Sequence, residues 1–178
     1  MNRVTTALAL VSALATVGVA ANSAPQPEVK PVAQQEVPAP VAVKVPAGNR
    51  MIATFDGRGV QIYTCANAAW TLLEPAATLS DHGKPVALHF KGPIWVSTVD
   101  GSEVGAAAVP GASAPRPGAV PELLLKATEN HGKGQFSDVT YVQRLATRGG
   151  LAPAGPCTDG AQVSTPYSAT YVFWAAAR

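Results

Sequence analysis

The sequence predicts an all-β domain: an antiparallel β-sandwich or barrel of about nine short strands, closed by one disulfide. Three observations carry this. Apolar and polar residues alternate over short runs in place of helical spacing, turn residues fill nearly every gap between those runs, and the chain's cysteines are two. Hydrophobic residues make up 47% of the 178-residue chain and charged residues 13%, with 13 Lys plus Arg against 11 Asp plus Glu. A net charge of +2 supplies no field that would hold nucleic acid. The length is too short for a two-domain dehydrogenase or a (β/α)₈ barrel.

The N-terminus reads as export machinery. Arg3 precedes an uncharged apolar run, Val4 to Ala20, that ends in the small residues Val19-Ala20-Ala21-Asn22-Ser23-Ala24. Residues 1–21 are therefore expected to be a signal peptide, the alternative being an uncleaved anchor, because the run lies at the short edge of what spans a bilayer. No Cys follows that would take a lipid, and no second run of similar length occurs, so no transmembrane segment is expected after cleavage. Pro25, Pro27, Pro31, Pro38, Pro40 and Pro46 punctuate residues 22–46. Proline removes backbone donors and fixes φ, which predicts a Pro-rich disordered linker. Every aromatic residue lies beyond it, which places the core in a β-domain over residues 47–178.

Along that domain, Met51 to Phe55 is the first expected strand. Val60, Ile62 and Thr64 alternate with Gln61, Tyr63 and Cys65 in the second. Ala69 to Leu73, Val86 to Phe90, Ile94 to Val99 and Glu103 to Val109 follow, with Asp100-Gly101 as the clearest hairpin turn because both residues tolerate positive φ. Pro110, Gly111, Pro115, Pro117, Gly118 and Pro121 predict a loop over 110–121. Glu122 to Thr128 is expected as a strand, although Pro121 would also suit the first position of one short helical turn over 121–128. Val139 to Leu145 and Ala169 to Ala175 complete the set. Cys65 and Cys157, an even count behind an export signal, predict a single disulfide, and no C-x-x-C pair supports a reactive thiol.

Gly59-Val60-Gln61-Ile62-Tyr63-Thr64-Cys65, Trp70, His89-Phe90-Lys91-Gly92-Pro93-Ile94-Trp95, Asp100-Gly101-Ser102, Leu123-Leu124-Leu125-Lys126-Ala127, Val139-Thr140-Tyr141-Val142-Gln143-Arg144, Gly149-Gly150-Leu151-Ala152-Pro153, Cys157 and Pro166-Tyr167-Ser168-Ala169-Thr170-Tyr171 occur in that order. Together they resemble a family of secreted bacterial and fungal proteins known only as a domain of unknown function. The resemblance covers nearly all of residues 47–178 and implies export and a shared architecture, with no catalytic residue to carry over. This chain departs from the family pattern at Val120-Pro121-Glu122, where an aromatic residue after the proline is usual, and at Ala146-Thr147-Arg148, where an Asn-Thr-Ser-like turn is usual. Some fungal members bear a malate dehydrogenase label, which these residues do not support. Gly57-Arg58-Gly59-Val60-Gln61-Ile62 lacks the third glycine of a dinucleotide fingerprint, strand-like residues follow it, and βαβ units are absent. Its glycines are expected to make a turn into the strand. No cofactor is implied.

Two function classes remain open. A non-catalytic binding or envelope-associated protein would use Trp70 and Trp95 as flat faces toward a glycan, a peptide or an envelope component, with Gln61, Gln143 and Arg144 giving directional hydrogen bonds. Both tryptophans also suit a core. The alternative is a small hydrolase or metal-dependent enzyme centred on His89, with Ser97 or Ser102 as nucleophile and Asp81 or Asp100 orienting the imidazole. Asp81, His82, His89 and Asp100 carry the donor types of a divalent-metal site without any metal-ligand spacing, so no metal is expected. Glu74 and Glu103 are conceivable paired carboxylates. His82 and His131 sit in Gly-containing turns and read as solvated. His89 alternates with Leu88 and Phe90 and is expected on the face opposite that apolar pair, at the strand surface or hydrogen-bonded.

Overall fold

The structure, a computed structural model, describes residues 37–178. Eight antiparallel strands form one closed barrel in chain order: β1 (Asn49–Ala66), β2 (Ala69–Asp81), β3 (Lys84–Phe90), β4 (Ile94–Ser97), β5 (Glu103–Arg116), β6 (Ala119–His131), β7 (Val139–Gly149) and β8 (Gln162–Ala176). Of the two expected layouts, the barrel is the one adopted. Closure comes from β1, which pairs with β2 from Asp56 to Ala66 and with β8 from Asn49 to Thr64. Closing the sheet leaves no unpaired edge.

The count differs from nine because two expected strands are one. Met51–Phe55 and Val60–Cys65 are continuous in β1, with Gly57 and Gly59 inside it and not in a turn. Both glycines face inward, and each lacks a side chain for a steric reason. A Cβ at Gly57 would stand 2.6 Å from the Tyr171 ring, and one at Gly59 would overlap the Ala76 carbonyl. Glycine inside a strand marks such a close approach.

The expected 110–121 loop is likewise strand, and no helical turn forms over 121–128. β5 runs to Arg116 and β6 starts at Ala119, so only Pro117 and Gly118 turn between them. The prolines fit because the ladder slips where they fall. Register shifts separate Ala108 from Ser113, Ala114 from Arg116, and Ala119 from Leu123, so Pro110, Pro115 and Pro121 owe no N–H to a partner strand.

One end of the barrel is plugged. Phe136, fully buried, enters from the β6–β7 connection and packs on Phe173 at 4.7 Å between ring centroids. The β4–β5 turn holds this plug: Asp100 accepts hydrogen bonds from the Gln135 and Ser102 backbone N–H groups and the Ser102 hydroxyl, and Ser102 Oγ accepts from Phe136 N. Those bonds keep the Asp100 carboxyl well below the usual carboxylate range, the Ser102 hydroxyl contributing most. The core then rises through Phe55, Phe173, Trp95 and Tyr171.

Residues 37–46, the last part of the expected disordered linker, pack on the outside of the barrel. A 3₁₀ turn at Val41–Val43 buries Val43 completely against Leu124, Leu145 and Val172. Gln143 Nε2 donates to the Val43 carbonyl at 2.7 Å, and Trp174 Nε1 donates to Gln143 Oε1 at 2.8 Å. The expected signal peptide and residues 22–36 lie outside the described residues. Cys65 and Cys157 form the disulfide, which ties the β7–β8 connection to the end of β1. Asp159 in that connection accepts from Ala68 N in the β1–β2 turn, where Asn67 and Ala68 both have positive φ.

Candidate functional site

A cavity of about 270 Å³ lies in the barrel beyond the aromatic core, between β1, β2, the β3–β4 turn and the β5–β7 wall. Its polar lining is Gln61, His89, Trp95, Arg144 and Tyr171, with Glu74 and Lys91 also on it; Leu72, Leu73, Leu123 and Leu125 supply much of the apolar lining. Strand alternation explains why these polar groups share one interior. Gln61 continues the inward row of Gly57 and Gly59, Trp95 sits opposite His89 in the β3–β4 pair, and Arg144 sits opposite Tyr171 in the β7–β8 pair.

His89 faces the interior, and its apolar neighbours Leu88 and Phe90 are the exposed ones, at 45% and 38%. The alternation was legible, but the buried face is the polar one. The imidazole stacks on the Trp95 indole at 4.3 Å and 3° between planes, and Tyr171 meets both rings edge-on. His89 Nδ1 lies 2.9 Å from the Ile94 carbonyl, an acceptor, so Nδ1 carries the proton and Nε2 is left as an acceptor. Burial pushes the imidazole down to about 4, opposed by the Ile94 bond and assisted by the Arg144 charge. At neutral pH this ring is uncharged. Burial also raises the Tyr171 hydroxyl well above its ordinary value; that hydroxyl sits 3.1 Å from the Tyr167 hydroxyl.

Gln61 and Trp95 are each 1% exposed. Neither Gln61 Nε2, Gln61 Oε1 nor Trp95 Nε1 has a hydrogen-bond partner in the protein. Buried polar atoms are nearly always paired, and each left alone costs about 1–3 kcal/mol. Three such atoms, all buried within two side chains that border the cavity, are the strongest local departure from that rule among the described residues.

The sequence candidates are spread over the barrel. Trp95 and Arg144 line the cavity with His89 and Gln61. Trp70 is half-buried at the far end of β2, opposite Cys65, and Gln143 is on the outer wall under the 37–46 segment. Trp95 has one face covered by His89 and its Nε1 is buried, so it offers the cavity no open stacking plane on that side. The hydroxyls of Ser97 and Ser102 serve the Asp100 turn: Ser97 Oγ accepts from Val99 N and Asp100 N, and Ser102 Oγ donates to Asp100. Neither bonds His89. His82 pairs with Asp81 in the exposed β2–β3 turn, and among the described residues no three His, Cys, Asp or Glu side chains gather around a common point. Glu74 reaches the cavity lining while Glu103 begins β5 beside the plugged end. Tyr171 escaped the sequence reading, although Tyr167, Ala169, Tyr171 and Phe173 alternate strictly and mark one inward row.

Among the described residues no helix is long and apolar enough to cross a membrane. Comparison with curated proteins and with solved structures finds no match. A family model does match, over residues 46–175, and this span takes in all of the cavity-lining residues; the chain belongs to the family described as protein of unknown function (DUF3455).

Proposed function

We propose that this is a non-catalytic binding protein that takes a small molecule into the barrel, acting outside the cytoplasm. The observation that carries the reading is the cavity bordered by Gln61 and Trp95, two side chains whose buried polar atoms have no protein partner. A site built to hydrogen-bond a ligand leaves such groups unpaired until the ligand arrives. A volume of about 270 Å³ suits a small ligand, just under the roughly 300–1,000 Å³ typical of sites for drug-sized molecules. His89 fits binding better than hydrolysis, because its partners are a carbonyl and two aromatic rings, with no nucleophile or orienting carboxylate bonded to it. The disulfide supports an oxidising address, periplasm or medium, consistent with the export signal read at residues 1–21.

A thermal-shift screen of the disulfide-bonded protein against glycans, envelope fragments and small organic molecules tests this, with Gln61→Leu alongside. A ligand that binds the native state raises Tm as its concentration passes Kd. The expected result is a stabilising small molecule whose effect disappears in Gln61→Leu. Ligands that stabilise both proteins equally would overturn the reading.

A further inference from the structure

The cavity also constrains what the ligand is. Arg144 is half-buried on its wall. Its Nε and Nη2 donate to the Pro121 carbonyl at 3.2 and 2.9 Å, which fixes the guanidinium plane and commits one edge of it. Its remaining side-chain partner is the Tyr171 hydroxyl, which is neutral, so the charge itself is unmatched. The ion pairs of the described residues are formed by His82, Arg116, His131 and Arg178, and none involves Arg144. A guanidinium beside an apolar cavity is ordinarily matched by a carboxylate, since the charge loses hydration there. Glu74, the one carboxylate on the lining, forms no such pair, and Lys91 adds a second cation to the same lining.

The donors that border the cavity have one common acceptor chemistry. Arg144 presents a planar fork of N–H groups, Trp95 one N–H and Gln61 an NH₂. A carboxylate is planar, accepts up to four hydrogen bonds and matches a guanidinium fork bidentately. Leu and Pro make up most of the cavity's remaining lining, with His89 and Tyr171, and its volume admits an apolar body of modest size. We infer that the ligand is a small monocarboxylate with an apolar body, its carboxylate on Arg144 beside Trp95 and Gln61 and its body against Leu72, Leu73, Leu123 and Leu125. This rests on the binding reading above.

The test is calorimetric titration of the full disulfide-bonded chain with hexanoate, octanoate, phenylacetate and 3-phenylpropanoate, each beside its primary amide, and with phenyl phosphate. The amide keeps the shape and removes the charge. At least one acid is expected to bind about tenfold or more tightly than its amide and than phenyl phosphate. Arg144→Met should bring the acid-to-amide ratio near one, while Trp70→Phe leaves it unchanged. The wild-type ratio stands by itself if Arg144→Met does not fold. Amides that bind as well as acids, in a manner abolished by Gln61→Leu, overturn the carboxylate and keep the binding site. Tighter binding of phenyl phosphate overturns it in favour of another anion. No Gln61-dependent binding by any compound overturns both.

Discussion

Gln61 and Leu are close in volume, so replacing one by the other at this position isolates what the unpaired amide does. If the amide waits for a ligand, the ligand-free protein carries its desolvation cost, and Gln61→Leu should be more stable by about 1–2 kcal/mol. Urea unfolding of both proteins reads this directly; a loss of stability would mean that the amide is already satisfied. His89 gives a second residue-scale expectation. Its folded pKa, about 4 through burial, lies below the unfolded value near 6.5. The unfolded chain therefore binds a proton first. Stability from this group is complete above about pH 6.5 and is lost as pH falls toward 4, by about 3 kcal/mol in all. His89→Phe should flatten the unfolding free energy between pH 6.5 and 4.5. Asp100 acts in a lower window, since its depressed carboxyl loses stability only as pH falls below the ordinary Asp range. An unchanged slope in His89→Phe would contradict the buried, neutral ring.

At the scale of elements, the 37–46 segment is part of the barrel's wall. Val43 is fully buried and its carbonyl receives the Gln143 amide, so Val43→Ala should cost about 2 kcal/mol, measurable by thermal or urea unfolding. No loss would show that the segment contributes nothing to the fold. This contact was not legible in the sequence, because Pro38, Pro40 and Pro46 dominate the local pattern and Val41 and Val43 are too few to show a period. The same dominance hid strand in 110–121, where slips in the ladder absorb the prolines. Other elements were plain: alternation over Val60–Cys65, Val139–Leu145 and Ala169–Ala175, and the Asp100-Gly101 turn, where Gly101 has φ +74°. The two segments that depart from the family pattern touch one another. Glu122 Oε1 accepts from Ala146 N at 2.8 Å, and Thr147 Oγ1 donates to the Val120 carbonyl at 2.6 Å. They form one contact between β6 and β7, which a linear reading separates by more than twenty residues.

For the whole molecule, the closed barrel is an outcome of long-range pairing that no short window contains. β1 joins its first neighbour in sequence and the last strand of the chain, and only closure turns the polar row of Gln61, His89 and Arg144 inward. The sequence offered those residues as candidates but put His89 opposite a buried Leu88 and Phe90, at the strand surface or hydrogen-bonded, because burying that apolar pair is the better choice for an ordinary sheet; the hydrogen bond is there, to Ile94, but on the inner face. A barrel that reserves interior space for a polar guest inverts that choice. The disulfide acts at this scale too, since its cysteines are 92 residues apart. Replacing both by Ser should lower stability by up to about 4–5 kcal/mol in the chain-entropy account, read as a fall in Tm with the barrel's β-sheet circular dichroism retained at low temperature. No fall would place the loop's constraint elsewhere.

The central claim is that a ligand enters the barrel and completes the unpaired groups of the cavity. The chain has three tryptophans, Trp70, Trp95 and Trp174, in three different environments. Their indole N–H resonances in a ¹⁵N correlation spectrum, followed while 3-phenylpropanoate and the other acids are titrated in, report on each site separately. The account predicts a large shift of the Trp95 signal alone, with Trp174 held by Gln143 and Trp70 unmoved near the disulfide. A Trp95 signal that stays fixed under every compound, or a shift confined to Trp70 or Trp174, would contradict it.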